Sequence, residues 1–69
     1  MESGVWDQIQ GKWKQLTGEV RSKWGDLTDN DMEEVAGDRQ KLSGKIQERY
    51  GVAKKDAEDQ IDDWLQNRK

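Results

Sequence analysis

Residues 13–32 read WKQLTGEVRSKWGDLTDNDM, and two periodicities meet within them. Trp13, Leu16, Val20 and Trp24 recur at helical spacing, so at 100° per residue they form one apolar stripe. Gly25 follows the last of them, where a C′ glycine in left-handed conformation would end a helix. Three residues later Thr28 offers an N-cap, with Asp29 and Asp31 in the first turn where the helix dipole favours anions. Leu27 and Met32 flank that cap at the two positions of a hydrophobic staple. The stretch therefore encodes a helix, a stop and the start of a second helix.

Working outward, the first stripe extends back through Val5, Trp6 and Ile9, with Gly11 as a point where a short leading helix can separate from a longer one. The second helix is short and ends near Gly37, with Met32, Val35 and Ala36 expected to face inward. A third helix is predicted from about Asp38 to Tyr50, its stripe Leu42, Ile46 and Tyr50, closed by Gly51. A fourth spans roughly Ala53 to Asn67 with Ala57, Ile61, Trp64 and Leu65 on one face. Asp56, Glu58 and Asp59 near its start and Arg68 and Lys69 at its end suit its dipole. There is no proline, and no segment alternates with period two for long enough to read as a strand.

The pattern then repeats. Leu16-Thr17-Gly18 lies over Leu42-Ser43-Gly44, Val20 over Ile46 and Trp24-Gly25 over Tyr50-Gly51. After the glycine the register slips by one, setting Leu27 over Val52, Asp31 over Asp56 and Met32 over Ala57. Two helical hairpins, neither able to bury its apolar face alone, would bury them against each other. The expected fold is all-α: a small four-helix bundle of two hairpins related by internal duplication. It forms one domain over 1–69, with repeat halves at about 11–36 and 37–66. The predicted core is Trp13, Leu16, Val20, Trp24, Leu42, Ile46, Tyr50, Ile61 and Trp64.

The runs GKWKQLTGEVRSKWGDLTDND and GDRQKLSGKIQERYGVAKKDAEDQIDDW resemble the CsbD-like family of small bacterial general-stress proteins. The resemblance extends from Trp6 to Trp64, and its most specific pieces are W-K-Q-L-T-G, W-G-x-L-T-D-x-D and G-K-I-Q-E-R-Y-G. It implies an all-helical fold and expression associated with stress, with no known catalytic activity. It carries no set of functional residues that could be placed on this chain.

Composition narrows the chemistry. With 39% charged residues, 30% hydrophobic residues and a mean hydropathy of -1.30, the chain lies near the compositional edge of disorder. Four tryptophans argue for a packed core, because a small core gains most from large apolar side chains. The absence of cysteine and histidine removes disulfides, thiolate chemistry, the commonest general base and the commonest zinc ligand. The net charge of -3 argues against a general nucleic-acid binder. No apolar run approaches a membrane span, and MESGVWDQIQ lacks the pattern of a signal peptide, so a cytoplasmic location is expected.

Particular constellations reduce to structural roles. Asp29, Asp31 and Glu33 have the opening spacing of a calcium loop, yet Glu34 stands at the turn glycine and Gln40 at the bidentate glutamate, and a helix cap explains the acids better. Asp62 with Asp63, and Asp56 with Glu58 and Asp59, read as solvated charge rather than acid–base pairs. Lys12, Lys14, Arg21 and Lys23 flank Trp13 and Trp24, but those rings belong to the apolar stripe. Gly18 and Gly44 fall opposite their helices' apolar stripes and cost helix stability; either Gly25, Gly37 and Gly51 are helix ends and the spacing is partly inherited from the duplication, or Gly18 and Gly44 allow close approach of another backbone. No catalytic residue, metal or cofactor is nominated. The expected protein is a non-enzymatic, monomeric stress-response module with an unknown protein partner, or alternatively a hydrophilin-like protectant acting by abundance and hydration.

Overall fold

Lys12 divides the first amphipathic stretch in two. Its φ of -113° and ψ of 22° depart from helical values, and its side chain makes no cap. Its N–H is shared between the carbonyls of Gln8 and Ile9 at 3.1 and 3.2 Å, while its own carbonyl accepts from Gln15 and Leu16. The computed structural model, which describes residues 3–67, therefore has five helices rather than four. They are α1 (Ser3–Gly11), α2 (Trp13–Lys23), α3 (Asp29–Val35), α4 (Arg39–Tyr50) and α5 (Lys54–Asn67), with no strand among the described residues. Arg68 and Lys69, expected at the end of the last helix, lie outside the described residues.

Each boundary has a local cause. α2 ends as Trp24 leaves helical geometry at φ -118° and ψ 82°, its N–H still reaching the Val20 carbonyl at 2.8 Å. A turn follows, closed by Leu27 N–H on the Trp24 carbonyl at 3.1 Å. Gly25 takes no positive φ, so the expected left-handed glycine stop is replaced by this turn. Thr28 caps α3 in a reciprocal box, accepting from Asp31 N–H at 3.1 Å while Asp31 Oδ2 accepts from Thr28 N–H at 3.0 Å. α3 stops at Ala36, which carries the left-handed conformation itself at φ 49° and ψ 37°. Ala36 is exposed, contrary to its expected inward placement, because the left-handed residue turns off the helix's buried face. Asp38 then caps α4, accepting from Lys41 N–H, and α4 closes at Gly51 with φ 66°.

α4 packs on α5 and on α3, and α1 packs on α2. Between them lies one core that takes Trp6 and Ile9 from α1, Trp13, Leu16 and Val20 from α2, Met32 and Val35 from α3, Leu42 and Ile46 from α4, and Ala57, Ile61 and Trp64 from α5. Trp24 and Leu27, in the connection between α2 and α3, complete it. Leu65 is half-buried against this core, as is Val52. Trp24 and Trp64 meet edge to face, with centroids 6.1 Å apart and planes at 60°, an aromatic arrangement that adds to simple burial.

Tyr50 is the exception among the predicted core residues. It is 38% exposed, because it is the last residue of α4 and its hydroxyl is drawn to a backbone partner outside the core. That oxygen accepts from Asp26 N–H at 3.0 Å, bracing the end of α4 against the turn between α2 and α3.

Candidate functional site

The indoles of Trp6, Trp13 and Trp24 each tie separate elements together. Trp6 on α1 donates its Nε1–H to the Gly37 carbonyl at 2.7 Å, and Trp13 on α2 donates to the Met32 carbonyl of α3 at 2.9 Å. Trp24 donates to Gln60 Oε1 on α5 at 2.8 Å. A buried indole N–H requires an acceptor, so each ring fixes distance and orientation as well as filling volume. The basic residues beside Trp13 and Trp24 consequently flank buried rings. Lys23 lies over Trp24 with Nζ 5.8 Å from the centroid and pairs with Asp63 of α5 at 3.5 Å.

The close backbone approach sought at Gly18 and Gly44 occurs elsewhere. A Cβ added at either of those positions would meet nothing within 4 Å. Gly37 is the crowded glycine: a Cβ there would stand 3.0 Å from Gln10 Cγ and 3.2 Å from Gln10 Cα, and its φ is +81°. Here α1 rests on the turn between α3 and α4, with Trp6 bonded to the same glycine's carbonyl. Lys12 and Gly11 permit the bend that brings α1 to this corner.

Charge is most organised between α3 and α4. Asp31 is 1% exposed. Its Oδ2 accepts from Arg49 Nε at 2.9 Å and its Oδ1 from Arg49 Nη2 at 3.0 Å, a two-point clasp. Lys45 Nζ stands 3.6 Å from Oδ1 and 2.6 Å from Glu34 Oε1, with Glu48 at 3.7 Å. The Arg49 hydrogen bonds, then the Thr28 N–H and the charges of Arg49 and Lys45, outweigh burial and hold the Asp31 carboxyl down at about 2. Lys45 bonds to Glu34, lowering the Glu34 carboxyl and raising its own ammonium. Arg49 is raised by its bonds to Asp31.

A second clasp joins α4 to α5. Arg39 donates to Glu58 Oε1 through Nε at 3.2 Å and Nη2 at 3.1 Å, and to Asp62 Oδ1 at 2.7 Å. Its guanidinium carbon also stands 6.0 Å from the Trp6 ring centroid. Two of the paired acids of α5 are thus engaged in positioning helices. Asp29, the first acid of the calcium-like spacing, pairs with Arg21 at 2.6 Å, and among the described residues no group of acids could hold a metal ion. A shallow groove lies between α2 and α3, with Lys14 and Thr17 on one wall, Asp29 and Glu33 on the other, and Trp13 and Met32 beneath.

Of the residues expected to build the core, Trp13, Leu16, Val20, Trp24, Leu42, Ile46, Ile61 and Trp64 are buried. Sequence reasoning missed the Asp31–Arg49–Lys45 cluster, although the Thr28 cap signalled one half of it. It missed Gly37 as the contact glycine, and left the docking of α1 open. Among the described residues no helix is long and apolar enough to cross a membrane.

The CsbD-like family model matches residues 7–59 of this chain. The UPF0337 protein PA4738 of Pseudomonas aeruginosa is 52% identical over 58 residues, covering 84% of this chain and 89% of that protein. The UPF0337 protein YjbJ of Escherichia coli K12 is also 52% identical over 58 residues, covering 84% of each. The UPF0337 protein pc0632 of Protochlamydia amoebophila is 48% identical, covering 84% of this chain and 88% of that protein. No solved structure matches. With a family match over most of its length and relatives at this identity, the chain belongs to the CsbD-like family.

Proposed function

We propose that this chain is a non-catalytic, stress-associated protein that works as a folded module, presenting a fixed surface to a macromolecular partner in the cytoplasm. The observation that carries the reading is the use of three indole N–H groups as ties between different elements. A protectant acting through hydration alone has no need of such fixed geometry. The stress association rests on the family. We also infer that α2–α3 and α4–α5 descend from one duplicated hairpin; this is supported by the repeated sequence and by Trp24 and Tyr50 at corresponding helix ends. α1 then serves as an addition that covers one corner of the pair.

A second reading, protection by abundance and hydration, is favoured by the 39% charged composition and the mean hydropathy of -1.30. One variant separates the two. Trp24→Ala removes a ring that is 2% exposed, at a cost of about 3–5 kcal/mol, enough to unfold a domain of this size. Wild-type protein is expected to melt cooperatively by near-UV circular dichroism and tryptophan emission. Protection of a labile enzyme against drying is then compared between the two proteins. Equal protection by the unfolded variant, or a featureless near-UV spectrum of the wild type, overturns the module reading.

A further inference from the structure

The ionic cluster between α3 and α4 has no part in the reading above, yet it is the most organised charge in the molecule. α3 is a seven-residue helix, too short to persist without tertiary support. Asp31 supplies much of that support from a single carboxylate, because it closes the Thr28 capping box and clasps Arg49 at the far end of α4. The groups that face it are Lys45 and Arg49 from α4, with Glu34 of α3 and Glu48 of α4 reaching it through Lys45. From α2, Arg21 turns to Asp29 and the Leu27 carbonyl instead. The cluster is therefore two cations, one turn apart on α4, held by three acids, of which only Asp31 is buried. When the acids are neutralised, Lys45 and Arg49 are left as adjacent like charges against a helix that no longer compensates them.

We propose that the Asp31–Arg49–Lys45 cluster is an acid-released latch: ionised Asp31 holds α3 against α4, and its protonation frees α3 while α4 and α5 stay packed. α4 and α5 retain Leu42, Ile46, Ala57 and Ile61, each fully buried. Release of α3 removes Met32 and Val35 from the core and uncovers apolar surface around Trp13.

The indoles report on this directly. Trp13 Nε1–H is bonded to the Met32 carbonyl of α3, whereas Trp24 Nε1–H is bonded to Gln60 of α5. Proton–nitrogen NMR of the full chain resolves both indoles, and the test follows their exchange with water in wild type from pH 6 to pH 1, against the intrinsic exchange rate at each pH, and in Asp31→Asn at pH 7. The latch requires Trp13 to lose at least tenfold protection in the variant while Trp24 keeps its own. In wild type the Trp13 change must track the titration of the Asp31 carboxyl and precede any change at Trp24. Retention of Trp13 protection in the variant overturns the proposal. So does simultaneous loss at both indoles, including complete unfolding of the variant, since Asp31 would then support the fold as a whole rather than α3. Arg49→Gln, which removes the clasp from the other side, must reproduce the selective loss at Trp13.

Discussion

At the scale of single residues, the seven glycines divide by what surrounds them. Gly18 and Gly44 lie inside helices with open space over the missing Cβ, so alanine gains helix propensity and meets no obstacle. The double variant Gly18→Ala/Gly44→Ala is expected to be more stable by about 1–2 kcal/mol in urea unfolding. Gly37 is the opposite case, since its φ of +81° and its contact with Gln10 both reject a side chain. Gly37→Ala is expected to cost about 1–2 kcal/mol and to loosen α1, read as faster indole exchange at Trp6. These signs could not be assigned from the sequence, where Gly4, Gly11, Gly18 and Gly25, and again Gly37, Gly44 and Gly51, recur every seven residues. Helical phase marks which glycines face outward, but the corner where α1 meets the turn between α3 and α4 is created by folding. Tyr50 carries the same lesson. Its phase matches Leu42 and Ile46, yet its position at the helix end lets the hydroxyl find Asp26 N–H outside the core.

At the scale of elements, α3 shows how much a short helix relies on its boundaries. Thr28→Ala removes the acceptor for Asp31 N–H while leaving the Asp31 clasp in place, and is expected to cost about 1 kcal/mol by thermal melt. Because Ala36 ends α3 in the left-handed region at φ 49°, Ala36→Gly is expected to raise stability by about 0.5–1 kcal/mol in the same melt. The Thr28 cap was legible because capping chemistry is local, confined to four consecutive residues. The left-handed stop was not, because the sequence shows glycine one position later and either residue can take the turn. The break at Lys12 was half legible: Gly11 marked the place, while docking of Trp6 on the Gly37 carbonyl makes the bend definite.

At the scale of the whole molecule, the ionic network sets the dependence of stability on pH. Asp31, held at about 2 against a usual 3.8, contributes stability that is fully present above pH 4 and is lost as pH falls through its folded value. Glu34 acts in the same direction. Lys45 and Lys55, both raised, contribute stability below pH 10 that is lost as pH rises through their folded values. With no histidine or cysteine, the thermal midpoint is expected to be flat from about pH 5 to pH 9 and to fall steeply below pH 4. A midpoint unchanged between pH 6 and pH 3 would show that the buried clasp contributes nothing. The helical class, the apolar stripes, the Thr28 cap and the family are legible in the order of residues alone, because helical phase, capping and sequence identity are carried by neighbouring residues. Which charges pair and which glycine is crowded follow from packing. Asp31 and Arg49 are eighteen residues apart and Gly37 meets Gln10 from a separate helix, and such partners acquire meaning only when packing brings them together.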